Sequence, residues 1–299
     1  MASIQNVFIR LFLKVVVKKK KMEVVSIRSI RKSLDKLTSL SRLPKGVKYE
    51  EINCDGVSAE WTIPDNLQNK GVVIYLHGGG YVSGSIKTHQ ALVGAIARAS
   101  KTKCLSVEYG LAPENPFPVG LDNAVTVYNW LLKQGYDNKK IVIAGDSAGG
   151  GLTVATLLKL RDEKAPQPAA GVCLSPWLDL ECTGNSATTL ADKDPMVTAP
   201  VLKRFGLLYT TRQNLRHPYT SPLYADLTGL PPLFIQVSDS EVLYDDTTRF
   251  EQKAKAAGVT IEVEVWKKMV HVWQAYIPML PEALKAIKKL GVYIDGKTK

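Results

Sequence analysis

Apolar residues are distributed along this chain in two distinct rhythms. Val47 to Asn53 and Val57 to Ile63 alternate polar and apolar positions around Cys54-Asp55-Gly56, which predicts an antiparallel hairpin with one wet face. From residue 72 onward the rhythm changes to short continuous apolar runs: Val72 to Leu76, Cys104 to Tyr109, Ile141 to Ala144, Gly171 to Leu174, Leu233 to Val237 and Thr260 to Trp266. Runs of this kind, separated by helical segments such as Thr88 to Ala99, Gly150 to Arg161 and the stretch ending at Ala257, predict parallel strands buried on both faces. The expected fold class is therefore α/β, an eight-stranded, mostly parallel sheet with helices on both faces. Two stretches stand outside the alternation, residues 1 to 45 and roughly 181 to 225, and both are predicted helical or irregular. A chain of 299 residues with 45% hydrophobic and 22% charged residues can bury one large core. It shows no internal repeat and no low-complexity linker.

Chemistry enters at the junction of one run with its helix. Gly145-Asp146-Ser147-Ala148-Gly149 follows Ile141 to Ala144 and precedes the helical run from Gly150. A Gly-x-Ser-x-Gly between a buried strand and a helix marks a sharp, strained turn that exposes the serine hydroxyl, so Ser147 is the candidate nucleophile. Upstream, Val72 to Leu76 ends in His77-Gly78-Gly79-Gly80. A glycine-rich loop in that position turns backbone N–H groups toward the oxyanion of a tetrahedral intermediate.

A serine nucleophile needs a base, and the base needs an acid to orient it. Of the four histidines, His77 belongs to the glycine loop and His89 sits near a helix start, while His217 lies in an irregular stretch. Only His271 falls just beyond the last strand candidate, where the chain order serine, acid, histidine places the base. For the acid, the loop after Leu233 to Val237 offers Asp239, Glu241, Asp245 and Asp246. Asp245 and Asp246 read as the opening turn of a helix, where negative charge suits the dipole. Glu241 and Asp239 stay as rivals.

Taken together, several segments carry a resemblance: His77-Gly78-Gly79-Gly80-Tyr81, Tyr109-Gly110-Leu111-Ala112-Pro113-Glu114 with Phe117-Pro118, Gly145 to Gly150, Ser175-Pro176-Trp177, and Met269-Val270-His271. The chain resembles the hormone-sensitive-lipase family of α/β-hydrolase esterases, within it the bacterial lactone hydrolase and esterase branch. The resemblance implies an α/β-hydrolase core at 46–180 and 226–299, covered by a cap of N-terminal helices at 1–45 and an insertion at 181–225. It further implies an oxyanion hole of Gly79, Gly80 and Ala148, with Tyr81, Met196, Phe205, Leu208 and Tyr209 near an acyl pocket. Two departures stand out. Gly110 replaces the family's usual arginine, and Glu241-Val242-Leu243-Tyr244-Asp245 replaces Asp-Pro-Leu-x-Asp, which puts a glutamate in the acid position.

The expected activity is a serine carboxylic-ester hydrolase acting on short to medium acyl esters or lactones through Ser147, His271 and Glu241. The alternatives are an amide or carbamate hydrolase with the same triad, or a non-catalytic small-molecule receptor on the same fold. No cofactor or metal is expected, because neither a phosphate loop nor a His-Glu-x-x-His is present. The net charge of +11 comes without a nucleic-acid motif, so a small-molecule substrate is expected and nucleic acid is not. The cysteines at 54, 104, 173 and 182 lack metal-ligand spacing. Free buried thiols at 104 and 173 suggest a reducing, cytoplasmic compartment. Val7 to Val17, broken by Arg10 and Lys14 and followed by Lys18 to Lys21, is too short and charged to span a bilayer. It reads as a cap helix with its basic block solvated, in preference to a helix lying on a membrane surface.

Overall fold

A computed structural model describes residues 2–16, 24–38 and 42–299, so the basic block Lys18 to Lys21 lies outside the described residues. Eight strands form one sheet: β1 (Val47–Cys54), β2 (Val57–Pro64), β3 (Val72–Leu76), β4 (Lys103–Val107), β5 (Ile141–Asp146), β6 (Ala170–Leu174), β7 (Leu233–Ser238) and β8 (Ile261–Trp266). Their spatial order is β1-β2-β4-β3-β5-β6-β7-β8. β1 pairs antiparallel with β2, and β2 with β4. Every pairing from β4 through β8 is parallel. All eight expected strands are present, with ends shifted by at most two residues. The largest change is at β4, which stops at Val107, so that Tyr109 leaves the ladder and its ring stacks on His77 at 4.3 Å.

The helices are α1 (Ile4–Val16), α2 (Ile27–Thr38), α3 (Ile86–Ser100), α4 (Val119–Lys133), α5 (Ala148–Asp162), α6 (Ser186–Thr189), α7 (Ala199–Tyr209), α8 (Tyr244–Ala256) and α9 (Pro281–Thr298). They explain why the strand runs are continuously apolar. In β3, Val72, Ile74 and Leu76 point into a core shared with α4, α5 and α8. Val73 and Tyr75 point the other way, toward Ile96 of α3 and Leu290 of α9. Alternate side chains of one strand thus meet different helix layers, and polarity is excluded from both faces.

The two stretches outside the alternation meet each other. Arg10 of α1 donates to the Lys193 carbonyl at 2.5 Å, and Arg204 of α7 donates to the Val25 carbonyl at 2.8 Å. α1 faces in an unexpected direction. Its buried side carries Asn6 and Leu13, whereas Ile4, Val7, Phe8, Leu11, Phe12 and Val15 point to solvent. The outward face of α1 is therefore mainly apolar along these residues, with Lys14 also exposed.

Candidate active site

β5 delivers Ser147 to the start of α5 in a backbone conformation of φ 53° and ψ −119°, a sparsely populated region for a residue with a Cβ. Three hydrogen bonds hold it there. The Ser147 N–H donates to the Leu174 carbonyl at 2.8 Å, and its own carbonyl accepts from Gly151 at 3.1 Å and Trp177 at 2.9 Å. The Ser147 side chain is partly exposed and makes no hydrogen bond to a described residue. Contacts between nucleophile and base are often long in unliganded enzymes and tighten on binding.

The glycine loop packs directly on this turn. A Cβ at Gly78 would lie 2.2 Å from Asp146 Oδ2, and one at Gly149 would lie 1.9 Å from the Leu76 carbonyl oxygen. Gly79 and Gly80 adopt φ values of 121° and 67°. The backbone N–H groups of Gly79, Gly80 and Ala148 donate to no described residue, so each is a free donor beside the serine turn. Beneath the loop lies a buried polar layer. Asp146 Oδ1 accepts from Tyr75 Oη at 2.8 Å and from the Gly78 N–H at 3.0 Å, and Oδ2 lies 3.5 Å from His89 Nε2. Burial opposes both charges here, but their attraction prevails: Asp146 is held below the usual carboxylate value and His89 above the usual histidine value. His77, buried and next to His89, is pushed down to about 3. A neutral His77 ring therefore braces the loop, with Nδ1 2.8 Å from the Gly78 carbonyl.

At the same carboxyl edge of the sheet, His271 follows β8 and Glu241 follows β7. His271 Nδ1 lies 2.6 Å from Glu241 Oε2. Asp239 is engaged elsewhere: its Oδ1 accepts from the Lys268 N–H at 2.7 Å and from Ser240 Oγ at 3.1 Å. Asp245 and Asp246 open α8, where Asp245 accepts from the Ser186 N–H and Asp246 from the Leu178 and Asp179 N–H groups. The structure thus brings Glu241, and not its rival, to the imidazole. Glu241 is fully buried, which raises its carboxyl, while the His271 bond works in the opposite direction. Burial alone would lower His271, yet the hydrogen bond and charge of Glu241 raise it above the usual histidine value.

One residue of this cluster had no role in the sequence reading. Ser175, buried and at φ 46°, donates through Oγ to Glu241 Oε1 at 2.8 Å and accepts from the Val272 N–H at 3.3 Å. The Ser238 N–H supplies a further bond to Oε1 at 2.8 Å. Ser175 belongs to the quoted Ser-Pro-Trp segment, but nothing in the sequence ties it to a residue 66 positions away.

The expected pocket residues divide. Phe205 of α7 meets the glycine loop, since a Cβ at Gly80 would lie 2.4 Å from its ring. Tyr81 is buried and stacks on Tyr209 at 3.8 Å, a packing contact. Met196 packs with Leu13 and Trp273 and accepts a bond from Tyr276 Oη at 3.5 Å, while Leu208 packs against the main core. Gly110, the departure from the arginine pattern, is closed in by Val119 and Asn115, whose side-chain atoms would lie 2.8 and 2.9 Å from a Cβ. Among the described residues no three His, Cys, Asp or Glu side chains gather to hold a metal.

Comparison with known proteins relates the chain to hydrolases. The sequence model of a family described as alpha/beta hydrolase fold matches residues 73–275. An acetyl-hydrolase of Streptomyces hygroscopicus is 44% identical over 241 residues, covering 81% of this chain and 80% of the relative. An esterase of Acinetobacter venetianus is 32% identical, covering 89% and 88%. Among solved structures, EstE5 superposes with a TM-score of 0.95 at 40% identity over 99% of each chain. An esterase from the bacterial hormone-sensitive lipase family superposes at 0.93, also at 40% identity, over 100% of each.

Proposed function

Because this chain belongs to the bacterial hormone-sensitive-lipase family of α/β-hydrolase-fold esterases, we propose that it hydrolyses carboxylic esters or lactones of short to medium acyl length through Ser147, His271 and Glu241. The observation that carries this reading is the 2.6 Å Glu241–His271 bond, joined through the adjacent Leu174 and Ser175 to a strained serine turn with free backbone donors. A proton on Nδ1, held by the carboxylate, leaves Nε2 with its lone pair for the serine proton. His271 takes that proton as Oγ attacks the carbonyl carbon. The N–H groups of Gly79, Gly80 and Ala148 then hold the oxyanion, where the loss of a single donor costs about 2.7–4 kcal/mol. His271 next protonates the leaving alcohol, and water activated by the same ring releases the acid from the acyl-serine. In a lactone the alcohol stays tethered to the acyl group, so a single product leaves.

In this reading residues 1–45 and 181–225 form the cap over 46–180 and 226–299, and Phe205 closes the acyl side of the glycine loop. Support for an ester substrate also comes from EstE5, whose crystals were soaked with p-nitrophenyl butyrate. The test is turnover of a p-nitrophenyl ester series. Wild type is expected to hydrolyse the shorter esters, Ser147→Ala and Glu241→Ala to lose most of that rate, and Asp239→Ala to keep it. Full activity in Ser147→Ala sinks the proposal, and loss in Asp239→Ala with retention in Glu241→Ala moves the acid role.

A further inference from the structure

α1 docks onto the protein by a side on which polar anchors stand beside Ile9 and Leu13. The Ser3 N–H and hydroxyl donate to the two Glu282 carboxylate oxygens at 2.6 and 2.8 Å, and Asn6 Nδ2 donates to the Lys268 carbonyl at 2.8 Å. Arg10 reaches the carbonyls of Lys268 and Met269, both at 3.1 Å. The diametrically opposite side holds Ile4, Val7, Phe8, Leu11, Phe12 and Val15, each between 50% and 75% exposed. Their spacing is that of a single helical stripe. An ordinary surface helix buries such a stripe, and a contiguous exposed one marks an interaction surface.

Charge decides what the stripe fits. Residues 1–22 contain six basic side chains, Arg10, Lys14 and Lys18 to Lys21, and no Asp or Glu. A second copy of the chain, joined face to face, would set this acid-free cationic segment against itself. An anionic lipid surface instead matches both features, taking the apolar stripe into the headgroup boundary and pairing the lysines with lipid phosphates. Spanning is ruled out for α1, because 13 residues rise only about 20 Å against a hydrocarbon core of about 30 Å. We infer that the outer face of α1 docks this protein onto anionic membrane surfaces. Arg10 links the helix to carbonyls two and three residues before His271, so docking sets the histidine loop beside the lipid headgroups, where amphiphilic esters collect. The docking itself does not depend on the catalytic reading.

The test is cosedimentation of the full chain with phosphatidylcholine vesicles, with and without phosphatidylglycerol. The wild type is expected to partition onto the anionic vesicles, less so at high salt and on neutral vesicles. Phe8→Ser/Leu11→Ser/Phe12→Ser is expected to weaken partitioning about tenfold or more, while its melting temperature and its rate on dissolved p-nitrophenyl butyrate stay at the wild-type level. Replacing Lys18 to Lys21 with glutamine is expected to abolish the preference for anionic vesicles. The inference falls if the wild type ignores anionic vesicles or if the triple serine variant binds as well as wild type. It also falls if the chain is a dimer that the triple variant splits, without vesicle binding, because a second copy then covers the stripe.

Discussion

Glu241 receives three hydrogen bonds on two oxygens, and their division decides what His271 does. Oε2 faces the imidazole, while Oε1 is held by Ser175 and the Ser238 N–H. The carboxylate is thereby fixed in rotation before it meets the ring. Ser175→Ala removes one of these restraints and also leaves the Val272 N–H without its acceptor, next to His271. Partners that orient metal ligands are commonly worth ten- to a hundredfold in affinity or activity, and Ser175 orients the Glu241 carboxylate in the same indirect way. The expected result is a fall in kcat of about tenfold or more with KM nearly unchanged, and a change confined to KM would refute a positioning role. The pH profile tests the charge itself. In the proposed mechanism Ser147 attacks only while His271 is neutral, so kcat/KM is expected to rise with pH through the His271 pKa, which Glu241 holds above the ordinary value of about 6.5. Glu241→Gln removes the anion that most favours the protonated ring, leaving burial opposed only by the weaker pull of Asp194 and Asp146. The acidic limb should then move to lower pH as the maximal rate drops, and a limb that stays put or moves up contradicts the assignment.

At the scale of elements, the decisive contact is the crossing of α5 over the end of β3. A methyl at position 149 would lie 1.9 Å from the Leu76 carbonyl oxygen and 2.6 Å from that of His77, both backbone atoms that cannot swing aside. Gly149→Ala should therefore destabilise the fold by about 1–3 kcal/mol, as overpacked sites do. Thermal unfolding would show it, together with reduced turnover as the glycine loop shifts. An unchanged midpoint would mean that α5 can tilt away freely. This crossing was legible in the sequence, because Gly145 and Gly149 flank the serine between an apolar run and a helix. The strands were legible for the same kind of reason: Val72 to Leu76 is apolar at every position because both faces of β3 are covered. Side-chain partners were far less so. Glu241 and Asp239 sit two residues apart on one loop, and only the turn that bonds Asp239 to the Lys268 N–H directs one of them away from His271. Ser175 was invisible because its partner is brought near by the β6–β7 pairing and not by any local signal.

Across the whole molecule, the N-terminal segment was the part least readable from its pattern. A stripe of apolar residues tells that a helix has an apolar side, but not which way that side points; here the polar anchors Ser3, Asn6 and Arg10 turn α1 outward. α2 is tied differently, and closer to the chemistry. Arg31 donates through Nε to the Val82 carbonyl at 2.7 Å and through Nη2 to the Ala112 carbonyl at 2.9 Å, while pairing with Glu114 at 2.7 Å. Val82 itself donates to the Gly79 carbonyl at 3.3 Å, so one guanidinium links the helix, the glycine loop and the segment after β4. The Glu114 pair alone is exposed and worth little in water. The two carbonyls matter more, because a charged donor to a backbone acceptor is worth about 1.5–3 kcal/mol and has no substitute when the arginine goes. Arg31→Ala should free α2 without opening the sheet, since the strands and α3 through α9 keep their own cores. Limited trypsin digestion is expected to cut within the first 45 residues sooner than in wild type, with the main unfolding transition little moved. KM for p-nitrophenyl butyrate should rise several-fold as the glycine loop loses its outer brace. Equal proteolysis and equal KM would show that α2 is held by its apolar contacts around Ile30 alone, and that the N-terminal segment and the site move independently.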